Sequence, residues 1–177
     1  MNALLVIDAQ NTLLQSGDFR KEVSVIRKMV NDFKSSGSPV IVMRHVSEEE
    51  HHSFYREEAG SQLPPALQES ADYIIEKRTP SAFFQTSLDQ LLQTLDIKHV
   101  FITGFNIEYC CLFTAVAAFD RGYEVTLIED ATSTVNTDET YEMPGLDIRN
   151  FISSILNRSD VIEVVEYEKY LTAQTAR

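Results

Sequence analysis

Short, nearly unbroken apolar runs recur along the chain. They are Ala3–Ile7, Val40–Met43, Val100–Thr103 and Val125–Ile128, with a weaker run at Tyr73–Ile75 and one at Val161–Val165 interrupted only by Glu163. Strands that are apolar at every position are buried on both faces, as in parallel sheets. Between them lie stretches with helical spacing. Val23, Ile26, Val30 and Phe33 form one stripe, which ends at the breaker Ser35-Ser36-Gly37-Ser38-Pro39. Leu88, Leu91, Leu92 and Leu95 mark a second helix over Ser87–Leu95. Cys110–Asp120 is a third, mostly apolar and so mostly buried, and Leu146–Leu156 a fourth. Such alternation predicts a three-layer α/β/α, doubly wound, Rossmann-like domain with right-handed crossovers. The common order 3-2-1-4-5-6 makes the sheet six-stranded and mostly parallel. The polar stretch from His45 to Leu67 reads as a long excursion, a candidate lid or interface segment.

The 177 residues suit one domain over 1–177, with a looser tail from about 168. Apolar residues make up 44% and charged residues 24%, a globular balance. The net charge of −12 and the absence of a Lys/Arg cluster speak against nucleic acid and against an anionic membrane surface. No apolar run is long enough to span a bilayer, and the N-terminus lacks a basic leader, so a cytoplasmic protein is expected. The 2 cysteines, Cys110 and Cys111, are adjacent and offer no disulfide framework. No Gly-rich loop follows a strand, so a phosphate cradle is not expected.

Ligands of open α/β sheets bind beyond the carboxyl ends of the strands where strand order reverses. Here those are the ends of the first and fourth strands. The first ends in Asp8, and the fourth runs through Thr103-Gly104 to Cys110 at a helix start. A thiolate gains there from free N–H groups and the helix dipole, and the same N–H groups can hold an oxyanion. From position alone, a small buried core cysteine is an equal alternative. Asp8 equally fits a turn cap, and Lys77 a solvated lysine. Together the three fit nucleophile activation, with Asp8 as base and Lys77 stabilising the thiolate.

The ordered segments Leu4–Asn11, Lys77–Leu88, Thr103–Cys110, Asp120–Val125 and Glu129–Ala131 make the chain resemble the isochorismatase-like cysteine hydrolase superfamily. That superfamily includes nicotinamidases and N-carbamoylsarcosine amidohydrolases. The resemblance implies a catalytic triad of Asp8, Lys77 and Cys110. It also implies a cis peptide between Phe105 and Asn106, with the Asn106 and Cys110 N–H groups as oxyanion hole. The implied chemistry is attack on a small amide or carbamoyl-type carbon and hydrolysis of an acyl-thioester. Other readings are vinyl-ether hydrolysis by the aspartate and a catalytically silent binding or regulatory member. Homodimers or homotetramers are common in the family, and the substrate is a small molecule.

Three positions depart from the family pattern: Ile107 for a usual Thr, Pro80 for a common aromatic and Ala9 for a frequent Met. The Asp-x-His metal pair of nicotinamidases is absent, since Met43-Arg44-His45 stands there. No metal and no cofactor are therefore expected. His45 is a candidate substrate contact, as are Phe105 and Tyr109 of the catalytic loop. Cys111 lies one helical step, about 100°, from Cys110 and should face the core.

Overall fold

The computed structural model describes residues 1–175. Six parallel strands form one sheet: β1 (Asn2–Ile7), β2 (Val40–His45), β3 (Tyr73–Lys77), β4 (His99–Gly104), β5 (Glu124–Thr132) and β6 (Glu163–Val165). Their order is β3-β2-β1-β4-β5-β6, as expected from the chain pattern. The helices are α1 (Asn11–Leu14), α2 (Arg20–Ser35), α3 (Pro65–Ser70), α4 (Leu88–Thr94), α5 (Leu112–Asp120), α6 (Ile148–Arg158) and α7 (Tyr167–Thr175). None of the described helices is long and apolar enough to cross a membrane.

The continuous apolar strands divide by parity between two cores. Ala3, Leu5 and Ile7 of β1 pack on one face with Leu88 and Leu92 of α4, Ala115 and Ala118 of α5, and Ile148, Ile152 and Leu156 of α6. Leu4 and Val6 pack on the other with Ile26, Met29, Val30 and Phe33 of α2. Period-two strands covered on both sides need apolar residues at both parities, which is why β1 does not alternate.

The C-terminal stretch forms α7, and its Tyr167 and Tyr170 complete the α2-side core; residues 176–177 of the expected loose tail lie outside the described residues. The His45–Leu67 excursion is tied to the strand ends by side-chain hydrogen bonds. Arg44 donates to the carbonyls of Arg56 and Ser61, and Gln10 donates to the Ser61 carbonyl. Buried backbone acceptors need such donors, and Arg44 and Gln10 supply them from the strand ends.

At the switch point, β1 and β4 are neighbours, with Ile7 opposite Gly104. Gly104 has φ +113, and a Cβ there would meet the Ile7 carbonyl oxygen at 2.0 Å. Only glycine fits this approach. It lets the Phe105 N–H reach the Ile7 carbonyl at 2.9 Å and starts the loop that carries the cysteine.

Candidate active site

Asp8 ends β1 with φ 48, held by its N–H bonding the Met43 carbonyl at 3.1 Å. Lys77 ends β3, in register with His45 at the end of β2. Each strand end thus delivers one polar side chain to the same place. The Lys77 side chain is fully buried, so the solvated-lysine alternative does not hold. Its ammonium lies 2.6 Å from Asp8 Oδ2, 3.2 Å from Cys110 Sγ, 3.2 Å from His45 Nδ1 and 3.1 Å from the Thr79 carbonyl oxygen. Asp8, His45 and Cys110 also offer atoms all within 4.8 Å of one another. The Lys77–Asp8 approach is a close ionic contact off the hydrogen-bond direction. Among the described residues neither Asp8 oxygen has an aligned donor, although both are buried.

Burial pushes the Asp8 carboxyl above its ordinary 3.8, and the pull of Lys77 does not cancel it. Burial favours the neutral amine of Lys77, but Asp8 and the Cys110 sulfur outweigh it and hold its pKa above 10.5. The Cys110 thiol is pushed up to about 12, by burial first and by the Asp8 charge second. The helix-start reading led to the opposite expectation of a stabilised thiolate. Cys110 sits in a π-helical turn, Ile107–Cys111, that runs directly into α5. With Asp8 ionised, the site holds a thiol, a carboxylate and an ammonium. Moving the thiol proton to Asp8 gives a neutral acid and a thiolate–ammonium pair. Net charge is unchanged, so this transfer avoids the large cost of creating charge in a buried site.

The Phe105–Asn106 peptide is cis. The Asn106 side-chain oxygen accepts from the Val135 N–H at 3.1 Å. Ile107, where a threonine was expected, is fully buried and donates its N–H to the Ser133 carbonyl at 2.9 Å. This main-chain bond, open to any non-proline residue at 107, ties the loop to Ser133.

Of the expected substrate contacts, Phe105 is not at the site. Its ring is fully buried in the α2-side core, 5.0 Å from Phe19 in an edge-on pair. Phe105 continues the strand parity of Phe101, which points to that same core. Tyr109 stands half exposed on the turn that carries Cys110. His45 faces Asp8, Lys77 and Cys110, its ring 4.8 Å from that of Phe54. Burial and the nearby ammonium lower the His45 pKa to about 4, so it is neutral at physiological pH. With Nδ1 accepting from Lys77, the ring proton belongs on Nε2. Cys111 is buried in the α4/α5/α6 core, as expected.

Sequence reasoning missed Gln10, Thr79 and Glu108. Gln10 clamps the end of β2, accepting from the His45 N–H at 2.8 Å and donating to its carbonyl at 2.9 Å. The Lys77 ammonium contacts all three ligand-type side chains, Asp8, His45 and Cys110. A metal held by these atoms would have to displace that ammonium, so the set does not fit a metal centre.

The chain is thus a doubly wound parallel α/β domain with a carboxyl group, a buried ammonium and a thiol gathered at its switch point. The pattern of the Isochorismatase domain matches residues 2–147, and the chain belongs to that family. The uncharacterized isochorismatase family protein YddQ of Bacillus subtilis (strain 168) is 29% identical over 139 residues, covering 75% of this chain and 77% of that protein. The nicotinamidase of Escherichia coli (strain K12) is 25% identical, covering 76% of this chain and 84% of the other. The fold is similar to that of the nicotinamidase PncA from Bacillus subtilis, with a TM-score of 0.79 at 21% identity, covering 93% and 99% of the two chains.

Proposed function

We propose that this protein is a cysteine hydrolase that cleaves a small-molecule amide or carbamoyl-type C–N bond without a cofactor. The observation that carries the reading is the convergence of Asp8, Lys77 and Cys110 around one ammonium. Nicotinamidase relatives support C–N cleavage as the reaction class.

In the proposed cycle, Asp8 takes the Cys110 proton as the sulfur attacks the carbonyl carbon. Lys77 holds the thiolate by charge and fixes the carboxylate. The Asn106 and Cys110 N–H groups receive the oxyanion. The protonated Asp8 then gives its proton to the leaving nitrogen as the C–N bond breaks. Asp8, a carboxylate again, takes a proton from water as that water attacks the thioester, and the thiol regains the proton on leaving. His45, with its Nε2–H, and the half-exposed Tyr109 are the side chains proposed to meet the substrate.

The test is to assay Cys110→Ala against a panel of small amides. Loss of turnover, with an acyl adduct on Cys110 trapped in the wild type, supports the reading; undiminished activity sinks it. A second reading has one observation in its favour: the raised Asp8 carboxyl suits an acid for vinyl-ether hydrolysis. That reading requires activity on isochorismate that survives Cys110→Ala and is lost in Asp8→Asn.

A further inference from the structure

Glu108, two residues before the nucleophile, is a buried carboxylate that the proposed chemistry does not use. Its Oε1 accepts three hydrogen bonds: from Thr134 Oγ1 at 2.7 Å, Asn136 Nδ2 at 2.7 Å and Tyr141 Oη at 3.0 Å. Its Oε2 is buried and has no partner among the described residues. Burying a polar group is costly unless it is hydrogen-bonded, so these three donors hold the Glu108 side chain in place.

All three donors lie between β5 and α6, in the segment 133–141. Three further bonds join the same segment to the catalytic loop. The Ile107 N–H donates to the Ser133 carbonyl, and the Ser133 N–H to the Gly104 carbonyl at 3.2 Å. The Val135 N–H donates to Asn106 Oδ1. The loop 104–108 is therefore laced to 133–141 at both ends, with Asn106 in the middle. Asp8, Lys77 and His45 take no part in this lacing.

We propose that Glu108 is a positioning residue: through the 133–141 segment it sets the placement of the Asn106 and Cys110 N–H groups, and leaves activation of the thiol to Asp8 and Lys77. The proposal rests on the reading of Cys110 as an acyl-transfer nucleophile. Its consequence is a separation of two reactions of the same sulfur. Acetylation by p-nitrophenyl acetate forms an S–C bond at a carbonyl, passes through an oxyanion and expels p-nitrophenolate. Alkylation by iodoacetamide forms an S–C bond at a saturated carbon, expels iodide and develops no oxyanion. Both release the thiol proton to Asp8.

The experiment measures both rates at Cys110 by mass spectrometry in the wild type, Glu108→Ala and Glu108→Gln. In Glu108→Ala, acetylation should fall about 100-fold while alkylation stays within about twofold. Glu108→Gln keeps an oxygen for the three donors and should restore most of the acetylation rate. If Glu108→Ala does not fold, Asn136→Ala and Tyr141→Phe remove single donors from the far side and should show the same split in smaller degree. Equal loss of both rates, or no loss of either, overturns the proposal. A wild-type Cys110 that is alkylated but never acetylated overturns the nucleophile reading itself, and this proposal with it.

Discussion

Asp8 and Lys77 form a pair whose burial decides both its chemistry and its cost. Lys77→Met leaves the Asp8 carboxylate without its cation, which should destabilise the protein by about 3–5 kcal/mol near neutral pH. The deficit should shrink as pH falls and Asp8 takes a proton. Urea midpoints at two pH values check this, and an unchanged midpoint would show that the ammonium is not the carboxylate's counter-charge. Activity has its own pH signature. Asp8 must be ionised to accept the thiol proton, and its pKa lies above 3.8, so kcat/KM should fall on acidification at a higher pH than an exposed aspartate would give. With His45 lowered to about 4, no separate histidine limb should appear near its usual 6.5. A profile of kcat/KM against pH reads both. The residue scale is also where the sequence was least legible. A lysine ending the edge strand β3, with Tyr73, Ile74 and Glu76 exposed beside it, gives no local sign of being buried. It is buried because the neighbouring strand ends and the Thr79 carbonyl close around its ammonium.

At the scale of elements, the loop that carries Cys110 is defined by how closely β1 and β4 approach. Gly104→Ala would drive a methyl group into the Ile7 carbonyl at a φ that disfavours any side chain. The expected outcome is a loss of at least about 2 kcal/mol, read from the denaturation midpoint. A neutral result would mean that the β1–β4 register is not as described. The helix after this loop was legible from its apolar run, but its first turn was not. The π-helical turn at Ile107–Cys111 follows from contacts with the 133–141 segment, which no local pattern in 104–111 encodes. For the same reason Glu108 escaped notice, since its three partners lie more than twenty residues away in sequence. Phe105 is the converse case. Strand parity carried forward from Phe101 could have placed it in the core, but its nearness to Cys110 suggested a pocket.

For the whole molecule, net charge and exposed apolar surface act in opposite directions. A charge of −12 on a chain of 20.1 kDa favours expansion, and salt screens it. The melting temperature should therefore rise between about 10 mM and about 150 mM salt. The outer faces of α5 and α6 leave Phe113, Val116, Phe119, Phe151 and Ile155 exposed. Apolar clusters of this kind suit self-association. A sedimentation mass at a multiple of 20.1 kDa is expected, and a monomer would count against it.

The order of strands, the two-faced burial of β1, β2 and β4, and the arrival of Asp8 and Cys110 at adjacent strand ends were determined by the sequence alone. Each depends on local apolar periodicity and on the few ways a right-handed parallel sheet can be wound. The resemblance of ordered segments to a known superfamily named Lys77 in advance. Only the tertiary structure decided that its ammonium would be buried, that burial would push the thiol pKa up and that Phe105 would turn to the core. It also decided that Glu108 would gather three donors. Those outcomes depend on desolvation and on contacts between segments far apart in the chain, which no local window of residues contains.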